Sequence, residues 1–285
     1  MKTFIYPNFE KKNALSCALS VCDILSDAGV EIFADEKYKS ELCSKKVTFG
    51  KISDVIKECG MVIAIGGDGT IIKAAAVASP YNIPVLGINS GRLGFLAAIE
   101  HSQLDLLQSV IDGRYYTEER MMIKIRHISE KSDKTYTAVN DIVIFRKDTK
   151  LGDFSIYLDN DAVTEIRADG VVFSTPTGST AHALSAGGAI IEPDTECIEF
   201  VPICSHSLFA RPIIFSCLKD ITLKHSSKAD DVFFTVDGEE NILFLKDDKL
   251  VISKSEIKMK LVQIEGNSFF NTVNKKLMQS IKGER

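Results

Sequence analysis

The run Met61-Val62-Ile63-Ala64-Ile65 is continuously apolar and opens directly into Gly66-Gly67-Asp68-Gly69-Thr70. A strand with one wet face would alternate apolar and polar residues. An unbroken run therefore predicts a strand covered on both faces, as in parallel sheets flanked by helices. The neighbouring segments agree. Residues 3–6 and 31–34 read as short strands, and residues 85–88 as another buried one. Between them, Leu15, Ala18, Leu19, Cys22 and Leu25 recur at helical spacing within residues 13–27, with Gly29 as a stop. A second helical stretch runs from residue 70 to about 78. Strand and helix signals that alternate in this way predict an α/β layer architecture with a parallel sheet.

After about residue 115 the texture changes. Residues 121–128, 135–145, 154–158, 171–174, 221–224, 232–236 and 250–253 are short runs rich in β-branched or aromatic residues, several with period-two alternation. Asp159-Asn160 has the chemistry of a hairpin turn. The second part is thus predominantly β, with the boundary near residues 98–115, where residues 102–111 resemble one more helix.

Bulk properties narrow the function. A net charge of -5 gives no electrostatic footprint for nucleic acid. No stretch of about 18 apolar residues occurs, so no membrane-spanning helix is expected, and the N-terminus turns polar too soon for a signal peptide. Seven cysteines without C-x-x-C spacing read as free thiols in a reducing cytoplasm, with no metal cluster.

In Gly66-Gly67-Asp68-Gly69-Thr70 the missing side chains permit a ligand's close approach, Thr70 can cap the following helix, and N–H groups at a helix start favour phosphate oxygens. Asp68 is a lone carboxylate at the carboxyl end of a strand, where open α/β sheets place ligands. Its charge beside a phosphate would repel unless it serves a metal or accepts a proton, and both uses fit phosphoryl transfer. The plainer alternative is a tight turn in which Asp68 caps the helix. The segment matches neither the dinucleotide G-x-G-x-x-G pattern nor the P-loop.

A second unusual run, Ser174-Thr175-Pro176-Thr177-Gly178-Ser179-Thr180-Ala181-His182-Ala183-Leu184-Ser185-Ala186-Gly187-Gly188, is rich in hydroxyls and glycines and poor in apolar bulk. It suits a polar nucleotide pocket, or a serine- and threonine-rich surface loop. The first motif resembles a superfamily shared by NAD kinases, diacylglycerol and sphingosine kinases and, more distantly, 6-phosphofructokinases. The second resembles the signature of the NAD kinases, which lipid kinases are not expected to carry. Asn140-Asp141, Arg167-Ala168-Asp169-Gly170, Pro202-Ile203-Cys204-Ser205-His206-Ser207-Leu208 with Arg211-Pro212, and Asp237-Gly238 follow in the family's order.

This resemblance implies an N-terminal Rossmann-like α/β nucleotide-binding domain (residues 1–100, joined by the C-terminal tail 266–285) and a C-terminal NAD-binding β-sandwich (residues 101–265). NAD would bind between the domains. It further implies a cytoplasmic kinase that transfers the γ-phosphoryl of ATP, or in some members polyphosphate, to the 2′-hydroxyl of the adenosine ribose of NAD, giving NADP. Members form homodimers or homotetramers and use a divalent cation, Mg or Mn, which here would arrive with ATP, because no metal-ligand cluster stands in the sequence.

By the same resemblance Asp68 is catalytic, activating or orienting the hydroxyl, and Gly67, Gly69, Thr70 and Lys73 line the nucleotide pocket. Asn140 and Asp141 hold ribose hydroxyls or the carboxamide, Asp169 accepts from an amino or carboxamide group, and Arg167 contacts phosphate. Thr180, Ala181, His182, Ala183, Leu184 and Ser185 wrap the adenosine half. Three positions depart from the usual pattern: Asp141 stands for Glu, His182 for a stacking Tyr, and Glu239 for Gln beside the pocket. Arg92, with its glycine neighbours, is a further candidate for a place near phosphate. The competing readings are a lipid or sugar kinase of the same superfamily and a non-catalytic NAD-binding sensor.

Overall fold

The computed structural model describes residues 1–43, 45–91, 94–147, 151–207, 210–226, 231–264 and 269–282, with side chains described to residue 276 in the last segment. Arg92 and Leu208 lie outside the described residues. The chain divides into two compact units, Met1–Glu119 with Met259–Arg285, and Arg120–Lys258.

The first unit carries the parallel strands β1 (Lys2–Pro7), β2 (Glu31–Asp35), β3 (Val47–Gly50), β4 (Met61–Gly66), β5 (Val85–Asn89) and the short β6 (Ile99–Glu100). Helices α1 (Ala14–Asp27), α2 (Lys39–Leu42), α3 (Ile52–Val55), α4 (Asp68–Ala78) and α5 (Leu107–Ile111) intervene. The strands lie in the order β5-β4-β1-β2-β3, so the unbroken apolar run is an interior strand, every residue of which is buried. Of the residues that predicted α1, Ala18, Cys22 and Leu25 lie in its buried stripe, which Ala14, Cys17 and Val21 complete, whereas Leu15 is exposed and Leu19 half-buried. The stretch expected as one helix over residues 102–111 is instead a 3-10 turn, His101–Leu106, followed by α5. Gln103 breaks the spiral with φ -123 and ψ 29.

The second unit is antiparallel. After β7 (Tyr116–Ile128) and β8 (Asp133–Ala138) come β9 (Asp141–Arg146), β10 (Gly152–Leu158), β11 (Asp161–Ala168) and β12 (Gly170–Ser174). Helix α6 (His182–Ser185) and strands β13 (Cys197–Ile203), β14 (Ile213–Ser216), β15 (Ile221–His225), β16 (Val232–Val236), β17 (Ile242–Leu243) and β18 (Lys249–Gln263) follow, and α7 (Phe269–Lys282) ends the chain. One sheet runs β14-β13-β12-β9-β16-β17. A second contains β11, β10, β15 and the start of β18, with the β7–β8 hairpin. Side chains from both sheets share one core, including Ile123, Ile142, Ile144, Phe154, Phe173, Phe200, Leu223 and Phe234, which is the construction of a β-sandwich. The turn expected at Asp159-Asn160 joins β10 to β11, with Asp159 left-handed at φ 55.

The single strand-like run expected over residues 135–145 is two strands. β8 pairs with β7 in one sheet, β9 with β12 and β16 in the other, and Val139 and Asn140 form the bend between them. Among the described residues no helix is long and apolar enough to cross a membrane.

Candidate active site

In the first unit β4 delivers Asp68 to the start of α4. The helix is capped by Gly67 without a side-chain bond, and Asp68 occupies its first turn. This corrects the capping expected of Thr70, and with it the alternative in which Asp68 is a cap. The Thr70 hydroxyl is buried without a partner, and the Asp68 carboxylate turns away from its own helix. Its two oxygens accept the N–H of Phe95 at 3.1 and 2.9 Å, and one also accepts the N–H of Leu96 at 3.1 Å. That approach requires Gly94, where an added β-carbon would stand 2.1 Å from Asp68 Oδ1. The ammonium of Lys276, on α7, lies 3.7 Å from Asp68 Oδ2 and 3.8 Å from the centre of the Phe95 ring. Burial pulls the Lys276 ammonium below its ordinary range, against the opposing pull of Asp68. The Asp68 side chain remains 29% exposed, so its position is fixed while a reactant can still reach it.

A cavity of about 450 Å³ lies beside the start of α4. Thr70 and Lys73 line it together with Tyr6, Asn8, Phe9, Lys37 and Tyr38 from the ends of β1 and β2. Phe9 and Tyr38 meet edge to face at 5.4 Å, and Lys37 sits 4.8 Å from the Tyr38 ring centre. Cations and ring faces at the carboxyl ends of parallel strands suit a nucleotide with its phosphates. An added β-carbon at Gly67 or Gly69 would meet nothing, so both glycines face open space.

In the second unit a cavity of about 510 Å³ gathers Asn140, Asp141, Asp169, Ala181 and His182 from the expected set. Its floor follows from strand periodicity: Asp141, Val143 and Phe145 face the cavity, while Ile142 and Ile144 enter the core. Ile203, Asp237 and Gly238, from blocks that carried the resemblance without a stated role, also line it, together with Arg146 and Thr235, which the sequence had not singled out. The alternation of residues 141, 143 and 145 was the available signal for Val143 and Phe145.

Asp141 is 5% exposed, and burial, reinforced by the nearby Asp237, pushes its carboxyl up to about 7. Burial likewise raises Asp237, while hydrogen bonds from the N–H groups of Val139, Asn140 and Asp141 act the other way. The Asn140 side-chain oxygen is buried and has no partner, an expensive state unless a ligand donates to it.

Other expected residues stand elsewhere. Arg167 is an exposed partner of Asp153 at 3.1 Å. Ala183 is packed with Val143, Val172 and Val201. Thr180, Leu184, Ser185 and Glu239 are not among the cavity-lining side chains. In the hydroxyl-rich run, Thr175 and Ser179 are fully buried and spend their hydroxyls on the fold: Thr175 donates to Val139 O at 2.6 Å, and Ser179 to Pro176 O at 2.7 Å.

The ATP-NAD kinase N-terminal domain family matches residues 4–115, and the ATP-NAD kinase C-terminal domain family matches residues 139–264. The NAD kinase of Pectobacterium atrosepticum is 34% identical over 90% of this chain and 89% of its own length. That of Flavobacterium johnsoniae is 34% identical over 98% of each chain. Among solved structures, yeast NADH kinase complexed with NADH superposes with a TM-score of 0.90 at 24% identity, covering 97% of this chain and 87% of that one. An NAD kinase from Archaeoglobus fulgidus in complex with ATP superposes with a TM-score of 0.75 at 22% identity, covering 98% and 99%. At such identities these two likenesses speak for the fold, and the sequence matches carry the assignment: the chain belongs to the ATP-NAD kinase family.

Proposed function

We propose that the family's reaction, transfer of the γ-phosphoryl of ATP to the 2′-hydroxyl of the adenosine ribose of NAD, is carried out here with Asp68 as the group that orients and deprotonates the hydroxyl. The observation that carries the assignment is the carboxylate itself. It is held by the Phe95 and Leu96 N–H groups, accommodated by Gly94, and still exposed. Phosphoryl transfer needs little covalent chemistry from the protein and much positioning of this kind.

The donor ATP is assigned to the cavity beside α4, with Lys73 and Lys37 for its phosphates and the Tyr6, Phe9 and Tyr38 rings for its base. NAD is assigned to the cavity of the second unit. There the unpaired Asn140 oxygen accepts from the carboxamide or a ribose hydroxyl, Asp141 and Asp169 offer further acceptors, and Phe145 and His182 offer ring faces. A divalent cation belongs to the proposal as a companion of ATP. No group of three His, Cys, Asp or Glu side chains that could hold one gathers among the described residues. Asp68 has two of its acceptor directions taken by N–H groups, which leaves it fewer with which to hold a cation. Bound to the triphosphate, the cation would neutralise charge on the transferred group. A cytoplasmic homodimer or homotetramer completes the reading.

The test is direct. Purified protein with ATP, magnesium and NAD should produce NADP, read with an NADP-specific dehydrogenase, while parallel reactions with NADH or a diacylglycerol address the other acceptors. Asp68→Asn keeps the side chain's size and removes its charge, so turnover should fall by about 10²–10⁴-fold with the NAD KM little changed. Near-normal kcat in that variant would remove Asp68 from the chemistry.

A further inference from the structure

The bend that carries Asn140 has all of its backbone polar groups satisfied inside the protein. The N–H groups of Val139, Asn140 and Asp141 all donate to one carboxylate, that of Asp237, at 2.8, 2.7 and 3.1 Å. The three carbonyls are taken as well. Val139 O accepts the Thr175 hydroxyl at 2.6 Å, Asn140 O accepts the Thr175 N–H at 2.8 Å, and Asp141 O accepts the N–H of Asp237 at 2.9 Å. What remains unpaired at this bend is a side-chain atom, the buried oxygen of Asn140, at the wall of the cavity. To make these bonds Asp237 adopts a left-handed backbone, φ 50, which aspartate tolerates better than most residues. Successive N–H groups that converge on an anion form a nest, here filled by a side chain of the protein rather than by a ligand.

We propose that Asp237 is the positioning residue of this cavity: by filling the nest at 139–141 it fixes the crossing from β8 to β9 and aims the Asn140 amide at a ribose hydroxyl or carboxamide of the dinucleotide. The inference rests on the reading that the second unit's cavity takes NAD. Aspartate is required by the count of donors. Three N–H groups need an acceptor at every contact, and a carboxylate has no donor of its own to set against them. In Asp237→Asn the amide retains one oxygen for Asn140 and Asp141 but sets an NH₂ group against the Val139 N–H, donor to donor. The bend then loses its definition at Val139, immediately before the residue that lines the cavity.

The experiment measures NAD KM, ATP KM and kcat for the wild type, Asp237→Asn, Asn140→Ala and the double variant. Asp237→Asn should raise the NAD KM about tenfold or more, as expected for loss of a charge-assisted hydrogen bond, and leave the ATP KM within about twofold. Because Asp237 acts through Asn140, the double variant should be no worse than the more damaging single variant, which a merely structural contribution would not produce. Asp237→Glu keeps the charge one methylene too long. It should fold, as judged by thermal unfolding, and still raise the NAD KM, which covers the case in which the Asn variant does not fold. If the wild type does not phosphorylate NAD, the underlying reading fails. If it does, an unchanged NAD KM in Asp237→Asn or Asp237→Glu, or strictly additive effects in the double variant, would overturn the role of Asp237.

Discussion

Two aspartates that line the cavity of the second unit share the burial that raises both carboxyls and differ in their partners. Asp237 is surrounded by N–H donors, whereas Asp141 is buried beside that charge and its carboxyl is raised to about 7. Such a group makes a definite contribution to stability. Below about pH 4 the carboxyl is neutral in the folded and the unfolded chain alike. Between about pH 4 and 7 the unfolded chain has released the proton and the folded one keeps it, so stability falls as pH rises, and above about 7 the deficit is constant. Asp141→Asn cannot titrate. Relative to the wild type it should therefore gain stability from pH 5 to pH 8, by an amount of order 2–4 kcal/mol for a shift of this size. Urea denaturation at the two pH values measures it. An equal difference between variant and wild type at both would mean that Asp141 titrates in the fold as it does in the open chain.

At the scale of elements, what could be read from the sequence depended on how local the cause was. β4 was legible because burial on both faces writes itself as an unbroken apolar run, and α1 because its stripe recurs every three to four residues. The break between β8 and β9 was not, because its cause is Asp237, 97 residues from Asn140. Likewise the start of α4 is set by N–H groups 27 and 28 residues beyond Asp68, which take the carboxylate that local rules would make a cap. Of the site, the residue types were legible and their partners were not: Asn140, Asp141 and His182 reach the cavity, whereas Thr175 and Ser179 spend their hydroxyls on the turn. That turn is itself docked on the bend. A β-carbon added at Gly178 would stand 2.2 Å from Asn140 O, a backbone atom that cannot swing aside. Gly178→Ala should therefore part the loop from the β8–β9 crossing, costing about 1–3 kcal/mol, or several degrees in Tm, and raising the NAD KM. Unchanged values of both would show that the crossing accommodates the methyl group.

At the scale of the whole chain, the first unit is completed by residues that arrive last. The chain leaves it at Glu119 and re-enters at Met259, where Leu261 pairs in parallel with Val85 of β5. Met259, Leu261 and Val262 are fully buried and Ile264 is 8% exposed, with Val262 and Ile264 packed in the same core as Leu86 and Ile88. Burial of each such side chain stabilises by about 1.5–3 kcal/mol, so the four together contribute roughly 6–12 kcal/mol. The net stability of a domain is about 5–15 kcal/mol. A chain stopped after Lys258 should therefore lose the cooperative unfolding of the first unit and be cleaved there by dilute protease. A chain stopped after Ile264 keeps the strand and forfeits α7, with its buried Val273 and the Lys276 ammonium beside Asp68. It should retain a cooperative transition at a somewhat lower Tm, and, on the proposed role of Asp68, its kcat should fall further than the change in Tm explains, because the cation next to that carboxylate is gone. Should the shorter chain unfold as cooperatively as the longer one, the returning strand would be an accessory of the first unit rather than part of its core. Should the longer one keep full kcat, the Lys276 contact would have no part in turnover.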